Sequence, residues 1–479
     1  MKRTRLGAML SVAAMLSACG GSGSDGGFSG TPTPTPAVTP TPTPTAACSL
    51  RSRQDWAAAQ LREWYLFPET LPASLDPTPY TTVGDYIDAL TATARSQRRD
   101  RFFTYLTSIK EENAYYNSGA SAGFGFRLGI DSTNRLYVIE AFEGAPALTA
   151  GMDRGTEIVA VGTTTANLRN IDAIIAAEGN AGLTTALGPD TVGTARVFRI
   201  ADAAGTRTVT VAKTDFTLQP VSPRYGAQII ADGGRNVGYI NLRTFISTAD
   251  PALRQAFARF RAQGITNVIV DLRYNGGGLV ATAELMSDLM GANRSTSEVV
   301  DYTTFRTEKS SNNSTRYFAP QPESIAPTKI AFIGTGGTAS ASEFVINAFI
   351  PYLHANAALI GTNTYGKPVG QIPLDKPECD DRLRVIAFAT QNAARQGAYF
   401  DGLATTVEAS CRANDDISYQ LGDPRESSTR QALDFLAGRS CTPITATASL
   451  QAARTAVVRQ DLLMPAAPSA AQRMVPGSF

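Results

Sequence analysis

The sequence predicts a layered α/β protein, mainly from the pattern of residues 214–445. In this region apolar, strand-like runs alternate with helical stretches, as is typical of a sheet covered by helices. The strand-like runs are "NVGYINLRTF" (236–245), "NVIVDLRY" (267–274) and "KIAFIGTG" (329–336). Two further observations are helical spacing over 48–114 and five short strand-like runs within 115–213. We therefore expect an N-terminal helical region, a small β domain and an α/β core.

The length and composition indicate a globular chain of several domains. The chain has 479 residues, which is longer than a chain that folds around a single hydrophobic core usually is. Two or three domains are therefore expected. Its 43 basic and 42 acidic residues give a net charge of +1, and 43% of the residues are hydrophobic. This balance argues against nucleic acid or an anionic surface as a partner.

The first 19 residues, "MKRTRLGAMLSVAAMLSAC", have the basic start, short apolar run and small residues of a secretory signal. Residues 16–19, Leu-Ser-Ala-Cys, resemble a bacterial lipobox. The resemblance implies cleavage before Cys19, lipid on its thiol and amine, and a tether that faces the periplasm. Gly20 beside it points to the outer membrane. The alternative is an ordinary signal peptide with a chance cysteine. Residues 20–47, with Gly/Ser and then Thr-Pro repeats, predict an extended spacer.

Four cysteines remain if Cys19 carries lipid, and an even number in an exported chain predicts two disulfides. They are Cys48, Cys379, Cys411 and Cys441, which allow three pairings. We favour Cys379–Cys411 within one region and Cys48–Cys441 closing the ends of the folded part. Their wide spacing and the single histidine argue against a metal site, and no cofactor is expected.

Residues 115–213 resemble a PDZ domain of the circularly arranged type found in bacterial proteases. The resemblance rests on "GFGFRLGI" (123–130) together with "GAPALTAGMDRGTEIVAVG" (144–162). It implies that backbone N–H groups of Gly123, Phe124, Gly125 and Phe126 receive the terminal carboxylate of a peptide, which adds as an extra strand. By itself, Gly-Phe-Gly-Phe is also compatible with the start of a twisted strand.

The stretch "GTASASEFVINAF" (337–349) places two serines at the start of a predicted helix. Ser340 and Ser342 are about 200° apart around a helix axis, so only one can face a given partner. A serine in this place is often an N-cap, but Thr338 can fill that position. Ser340 is then free to act as a nucleophile, beside helix N–H groups that can stabilise an oxyanion.

The base for that serine is better sought in a lysine than in the single histidine. His354 lies about four turns along the same predicted helix, many ångströms from its start. Lys367 occurs in "TYGKPVGQ" (364–371). Burial lowers the pKa of a lysine from about 10.4, and a neutral amine can accept a serine proton. Gln371 can hold that amine without adding charge. In isolation, Lys367 also fits a solvated loop.

A glycine turn ends the strand-like run "DLRYNGGGL" (271–279). Gly276, Gly277 and Gly278 can let backbone N–H groups approach a substrate carbonyl closely. One of them, with the amide of Ala341, would form an oxyanion hole. A plain tight turn is the alternative. A phosphate loop is disfavoured because no Lys-Ser/Thr pair follows the glycines.

Three stretches follow the PDZ-like segment in a fixed order: "DLRYNGGG", "GTASASE" and "TYGKPVGQ". Together they resemble the C-terminal-processing (tail-specific) serine peptidases. The resemblance covers most of the chain between the linker and the C-terminal tail. It implies a crotonase-like α/β core with a helical cap and a PDZ domain. It also implies residue roles: Ser340 as nucleophile, Lys367 as general base, Gln371 as the group that orients the lysine, and Gly277 and Ala341 as oxyanion amides.

These patterns predict a membrane-tethered periplasmic serine endopeptidase that acts on proteins or peptides and recognises apolar C-termini. One alternative is a catalytically silent peptide-binding scaffold of the same fold. Another is an esterase or amidase for small molecules, which leaves the PDZ-like segment unexplained. Residues 446–479 form a tail that ends in the Ala/Pro-rich "MPAAPSAAQRMVPGSF", which predicts loose order. Residues 474–479 are also a candidate occupant of the PDZ-like groove in cis.

Overall fold

The computed structural model describes residues 46–445 and 461–479. The predicted signal, Cys19 and the linker up to residue 45 lie outside the described residues, and so do residues 446–460. In the part of the chain that is described, no helix has both the length and the apolar composition needed to cross a bilayer.

The N-terminal region is helical, as predicted. Three of its helices begin at hydroxyl side chains that accept a backbone N–H, namely Ser49, Thr82 and Ser108. Leu61 and Ile87 lie on their buried faces. The elements are α1 (Leu50–Trp64), α2 (Val83–Leu90), α3 (Ala92–Ser96), β1 (Tyr105–Ser108) and α4 (Ile109–Ser118).

The next region, residues 119–217, is called the β domain here. Its elements are β2 (Ala120–Gly123), β3 (Phe126–Ile130), β4 (Leu136–Ala141), α5 (Pro146–Thr149), β5 (Glu157–Gly162), β6 (Arg169–Asn170), α6 (Ile171–Leu187), β7 (Ala195–Asp202), β8 (Gly205–Ala212) and β9 (Thr214–Thr217). The five strand-like runs of the sequence correspond to β3, β4, β5, β7 and β8 and are confirmed. These five strands form one antiparallel sheet in that order. Phe124, Phe126 and Phe198 pack together in the buried core of the domain.

The α/β core follows. Its elements are β10 (Ala227–Asp232), β11 (Arg235–Asn241), α7 (Ala249–Ala262), β12 (Asn267–Asp271), α8 (Val280–Leu289), β13 (Val299–Phe305), β14 (Ser314–Tyr317), β15 (Lys329–Gly334), α9 (Ala341–Leu353), β16 (Ala357–Gly361), β17 (Val369–Lys376), β18 (Asp381–Gln391), β19 (Ala409–Arg412) and α10 (Ser427–Leu436). The central sheet has the order β10-β11-β12-β15-β16-β19, and every pair after β10–β11 is parallel.

Strand β12 shows why the core strands read as continuous apolar runs. Val268 and Val270 are buried in one cluster with residues of α7, α8 and α9, whereas Ile269 is buried in another cluster with α10. A parallel strand with helices on both faces of its sheet has no side that meets water. The predicted α/β class is confirmed.

A second, antiparallel sheet joins the helical region to the core. Its order is β1-β18-β13-β14, and β17 pairs with β18. Leu61 and Ile87 of the helical region share a buried cluster with Leu383 and Val385 of β18. This packing fixes the helical region against the strand pair β17–β18, which directly follows the Lys367 loop.

The cysteines pair differently from the favoured expectation. Cys48 bonds to Cys379 and Cys411 bonds to Cys441, with Cα–Cα distances of 5.5 and 5.4 Å. The expected pairs Cys379–Cys411 and Cys48–Cys441 are therefore wrong. The two sheets explain the difference, because Cys379 follows β17 in the second sheet, whereas Cys411 lies in β19 of the central sheet. After α10 the chain returns to β19, where the N–H of Arg412 donates to the carbonyl of Thr442 at 2.7 Å.

The last described segment, residues 461–479, is ordered, so the expectation of loose order is wrong for these residues. It contains β20 (Asp461–Leu462), which pairs with β3, and α11 (Ala470–Met474). Five of its apolar residues are buried: Leu463, Ala470, Met474, Val475 and Phe479. The Ala/Pro-rich composition does not indicate this packing, because only a few side chains, separated along the segment, are buried.

Candidate active site

Ser340 lies in a tight turn between β15 and α9. Its backbone has φ 56° and ψ −115°, a conformation that residues other than glycine rarely adopt. Such conformations persist only where the surrounding structure holds them, and they concentrate at functional sites. Ser340 itself occupies the N-cap position, so the expectation that Thr338 caps the helix is wrong. The Thr338 hydroxyl donates instead to the Leu272 carbonyl at 2.8 Å. Ser340 is left partly exposed.

The neighbouring residues of α9 have separate tasks. Ser342 is buried, and its hydroxyl donates to the backbone carbonyl of Asn275 at 2.9 Å. The Ser342 hydroxyl is thus engaged inside the protein, whereas Ser340 lies just before the first helical residue, so the helical spacing assumed for the pair does not apply. Ala341 is the first residue of α9, so its N–H belongs to the amides that have no acceptor within a helix.

The glycine turn packs directly against Ser340. A Cβ added to Gly277 would lie 2.8 Å from the Ser340 Cβ, so only glycine fits there. The side-chain oxygen of Asn275 accepts the Gly277 N–H at 2.9 Å, and its backbone carbonyl accepts the Ala339 N–H at 3.0 Å. Asn275 therefore ties the glycine turn to the start of α9. The sequence reasoning missed Asn275, for which the available signal was its place just before the glycines.

Lys367 is buried against a polar partner rather than solvated. Its Nζ donates to Gln371 Oε1 at 2.8 Å, and Gln371 Nε2 donates to the carbonyl of Phe103. The ring centroid of Phe103 lies 5.1 Å from Nζ. Burial lowers the pKa of Lys367 to about 7, with smaller contributions from the guanidinium groups of Arg384 and Arg473. A substantial fraction of this amine is therefore neutral near neutral pH.

Glu343 joins the serine turn to the lysine loop, a role that the sequence reasoning missed. Its buried Oε2 accepts the N–H of Ser340 at 3.1 Å and the N–H of Lys367 at 2.7 Å. Its Oε1 accepts the N–H of Gly366 and the hydroxyl of Thr364, both at 2.6 Å. Burial raises the pKa of Glu343, while these four donors oppose that rise. One carboxylate oxygen thus accepts the backbone N–H groups of both Ser340 and Lys367.

Glu343→Ala is expected to lower the free energy of unfolding by about 3 to 5 kcal/mol, because three backbone N–H groups, two of them buried, lose their acceptor. Denaturant unfolding followed by circular dichroism measures this loss. Glu308→Ala is the control, since the Glu308 side chain is 65% exposed, and it should change stability by less than about 0.5 kcal/mol. A loss below about 1 kcal/mol for Glu343→Ala would contradict the bridging role.

The structure therefore brings five of the sequence-predicted residues to one place through Glu343 and Asn275: Ser340, Ala341, Gly277, Lys367 and Gln371. The others lie elsewhere. His354 is exposed at the end of α9, as expected from its place in the sequence, and its Nδ1 lies 2.8 Å from Glu408. Residues 123–126 lie in the β domain, where β2 ends and β3 begins. Cys19 is outside the described residues.

Known proteins resemble the part of the chain that carries this site. Residues 236–398 match the model of peptidase family S41, and this segment contains Ser340, Lys367 and Gln371. The carboxyl-terminal-processing protease of Picosynechococcus sp. is 28% identical over 267 residues, which cover 54% of this chain and 58% of that protein. The chloroplastic C-terminal processing peptidase of Tetradesmus obliquus is 26% identical over 272 residues, 54% of each. The chain thus spans little more than half the length of these curated relatives.

The fold also has a counterpart among crystal structures. A Bacteroides fragilis protein assigned to the S41 proteases aligns with a TM-score of 0.61 and 21% identity, over 80% of this chain and 97% of that chain. At this level of identity the likeness concerns the fold alone. The match at residues 236–398 shows that this segment is similar to peptidase family S41, and the two relatives named above are processing proteases by name.

Proposed function

We propose that the chain is a serine endopeptidase in which Ser340 attacks a peptide carbonyl and Lys367 takes the serine proton. The observation that carries the proposal is the buried Lys367 amine, which is held by Gln371 on a loop whose backbone shares the Glu343 carboxylate with the Ser340 turn. Burial lowers the pKa of this amine to about 7. A solvated lysine, protonated at neutral pH, could not serve as this base. The relatives are named as processing proteases, which supports proteins or peptides as the substrates.

The reaction follows from the proposed roles. Neutral Nζ accepts the hydroxyl proton of Ser340 as Oγ bonds to the scissile carbonyl carbon. The Ala341 and Gly277 amides then donate to the developing oxyanion. The Gly277 N–H is held by Asn275 Oδ1 at 2.9 Å, so it must leave or share that acceptor. The protonated lysine gives its proton to the departing amine. Water, with Lys367 again as base, hydrolyses the acyl-enzyme and restores Ser340.

Gln371 acts as a positioning residue in this scheme. The carbonyl of Phe103 requires an N–H donor, which fixes the direction of the Gln371 amide and turns Oε1 towards Nζ. An amide holds the amine without the negative charge that would stabilise its protonated form. Gln371→Glu should therefore shift the pH profile of cleavage to higher pH, and an unchanged profile would contradict this role.

We infer further that the β domain is a PDZ-like module that binds apolar C-termini. Residues 123–126 lie beside the edge of β3, where a peptide can extend the sheet. Phe124, Phe126 and Leu128 are buried in the domain core and provide apolar surroundings for a terminal side chain. A fluorescent peptide with a free carboxylate should bind more tightly than the same peptide with a terminal amide. Equal affinities would contradict recognition of the C-terminus.

The proposal includes a lipid tether that holds the folded part at the periplasmic face of the outer membrane. Its support is the lipobox-like sequence ending at Cys19 and the spacer over residues 20–47. Labelled palmitate should enter the wild-type protein and not Cys19→Ser. Label in both proteins, or in neither, would contradict the tether.

A serine-directed reagent tests the reaction class. The full chain is incubated with an unfolded reporter protein, with and without a fluorophosphonate, and the modified residue is located by mass spectrometry. We expect cleavage of the reporter, loss of cleavage on labelling, and one adduct on Ser340 rather than on Ser342. A silent scaffold would show neither cleavage nor an adduct. Hydrolysis of a short ester without cleavage of the reporter would indicate a small-molecule esterase.

A further inference from the structure

Residues 477–479 pair with the edge of β3 as an added strand. Three backbone hydrogen bonds of 2.9 to 3.0 Å carry the pairing: Leu128 N–H to the Gly477 carbonyl, Phe479 N–H to the Phe126 carbonyl, and Gly125 N–H to the Phe479 carbonyl. The pattern is antiparallel and is the one by which a bound peptide extends a sheet. The edge that a substrate would use is therefore already paired with the chain itself.

The Phe479 side chain fills the apolar part of the same groove. The residue is 5% exposed and belongs to the buried cluster that contains Phe124, Phe126 and Leu128. A Cβ added to Gly123 would lie 2.8 Å from the carbonyl carbon of Phe479, so the groove admits this segment only because residue 123 is glycine. The groove thus accepts an aromatic side chain at the position next to residues 123–126.

The same segment also contacts the glycine turn beside Ser340. The carbonyl of Met474 accepts the N–H of Gly276 at 2.9 Å. A Cβ added to Gly276 would lie 2.3 Å from the carbonyl oxygen of Arg473, which shows how closely the two backbones approach. Gly276 immediately precedes Gly277, whose amide is a proposed oxyanion donor. The segment therefore holds the turn that must present this donor.

We propose that residues 473–479 are an internal competitor that occupies the peptide groove and restrains the glycine turn until a substrate peptide displaces them. This inference rests on the proposed peptidase function. A ligand linked to its own site has a high effective concentration, on the order of mM, so a free peptide competes poorly with it. The peptides best suited to displace it share its chemistry, with an aromatic last residue preceded by small residues.

Weakening the segment tests the proposal in the full-length protein. Phe479→Asp places a charge in the apolar pocket and should release the segment. A fluorescent peptide of sequence RMVPGSF should then bind at least about tenfold more tightly than to the wild type, because the groove is open in a larger fraction of molecules. Cleavage of an unfolded reporter should also rise at least about tenfold. Ser478→Ala, in the same segment, is the control and should match the wild type in both measurements.

The outcomes separate this inference from the peptidase function. If Phe479→Asp binds the peptide more tightly but neither the wild type nor a variant cleaves the reporter, the internal competitor is supported and the proposed peptidase function is rejected. Cleavage by the wild type, with binding and cleavage unchanged or reduced in folded Phe479→Asp, would overturn the internal competitor and make the segment a permanent part of the fold.

Hydrogen exchange on the wild type gives an answer even if Phe479→Asp does not fold. The N–H groups of Gly125 and Leu128 donate to the segment, whereas the N–H of Val138 donates to Thr156 within the β domain. Release of the segment alone should make the first two exchange at least about tenfold faster than the third. Equal exchange rates for the three amides would overturn the proposal.

Discussion

Ser340→Ala is expected to lower kcat/KM for an unfolded reporter by at least about 10³-fold, because the nucleophile is lost and no neighbour replaces it. The other hydroxyls of the turn, on Thr338 and Ser342, are buried and donate to backbone carbonyls. A continuous fluorescence assay of reporter cleavage measures the effect. The variant should lose only about 0.5 to 2 kcal/mol of stability, because it removes an N-cap hydroxyl while the Ser340 backbone and its contact with Glu343 are unchanged.

Ser342→Ala is the matched control for this substitution. It removes the hydrogen bond to the Asn275 carbonyl, which should cost about 1 kcal/mol of stability and leave most of the activity. Equal rates for Ser340→Ala and the wild type would remove Ser340 from the mechanism. Loss of cleavage confined to Ser342→Ala would assign the nucleophile to the second serine.

Lys367→Met should lower kcat/KM by a similar factor, at least about 10³-fold, because the serine proton then has no acceptor. Lys367→Arg should be equally inactive, since a guanidinium stays protonated. Lys110→Met, at an exposed position, is the control and should retain full activity. Activity in Lys367→Arg would contradict the role of Lys367 as a base.

The pH dependence of the wild type tests the same residue. Because the pKa of Lys367 is lowered to about 7, the amine is charged below that pH and neutral above it. The value of kcat/KM should therefore fall about tenfold per pH unit below pH 7 and level off above it. Arg384 and Arg473 favour the neutral amine, whereas Asp100 and Glu343 oppose it. A profile that is flat through pH 7 would contradict the buried base.

The buried lysine also has a signature in stability. Its pKa is about 7 in the folded state and about 10.4 in the unfolded state, so the unfolded chain binds more protons between these values and stability rises with pH across that window. Below pH 7 both states are charged, and the folded state bears the whole cost of burying the charge. Lys367→Met should therefore stabilise the protein more at low pH than at high pH, by roughly 4 kcal/mol. Denaturant unfolding at about pH 6 and pH 10 measures the difference, and equal effects would contradict it.

The residues proposed to carry the chemistry can be chosen from the sequence, because few alternatives exist. A single histidine at the far end of α9 favours Lys367 as the proposed base, and the burial of the Ser342 hydroxyl against the Asn275 carbonyl favours Ser340 as the proposed nucleophile. The residues that hold them are harder to predict. Glu343 gathers donors from its own turn and from residues 364–367, and no local pattern indicates contacts across that separation.

Other errors have the same origin in long-range arrangement. The disulfide pairing depends on where the strands and sheets of the fold place each cysteine. The sequence spacing of Cys48, Cys379, Cys411 and Cys441 does not indicate those positions. The N-cap lies at Ser340, two residues after Thr338, in a positive-φ turn against which the glycine turn packs, and the local sequence does not indicate that contact. The order in residues 461–479 depends on their pairing with the edge of β3, which local composition does not reveal.

The position of Phe103 limits how this protein can be divided. The matched segment 236–398 contains Ser340, Lys367 and Gln371, but the carbonyl that directs Gln371 and the ring that lies over the amine come from the N-terminal helical region. An excised family segment would keep every reactive side chain and still expose its lysine to water, with the basicity of an ordinary surface amine. Any part of this protein that is moved into another must therefore include that helical region as well as the matched segment.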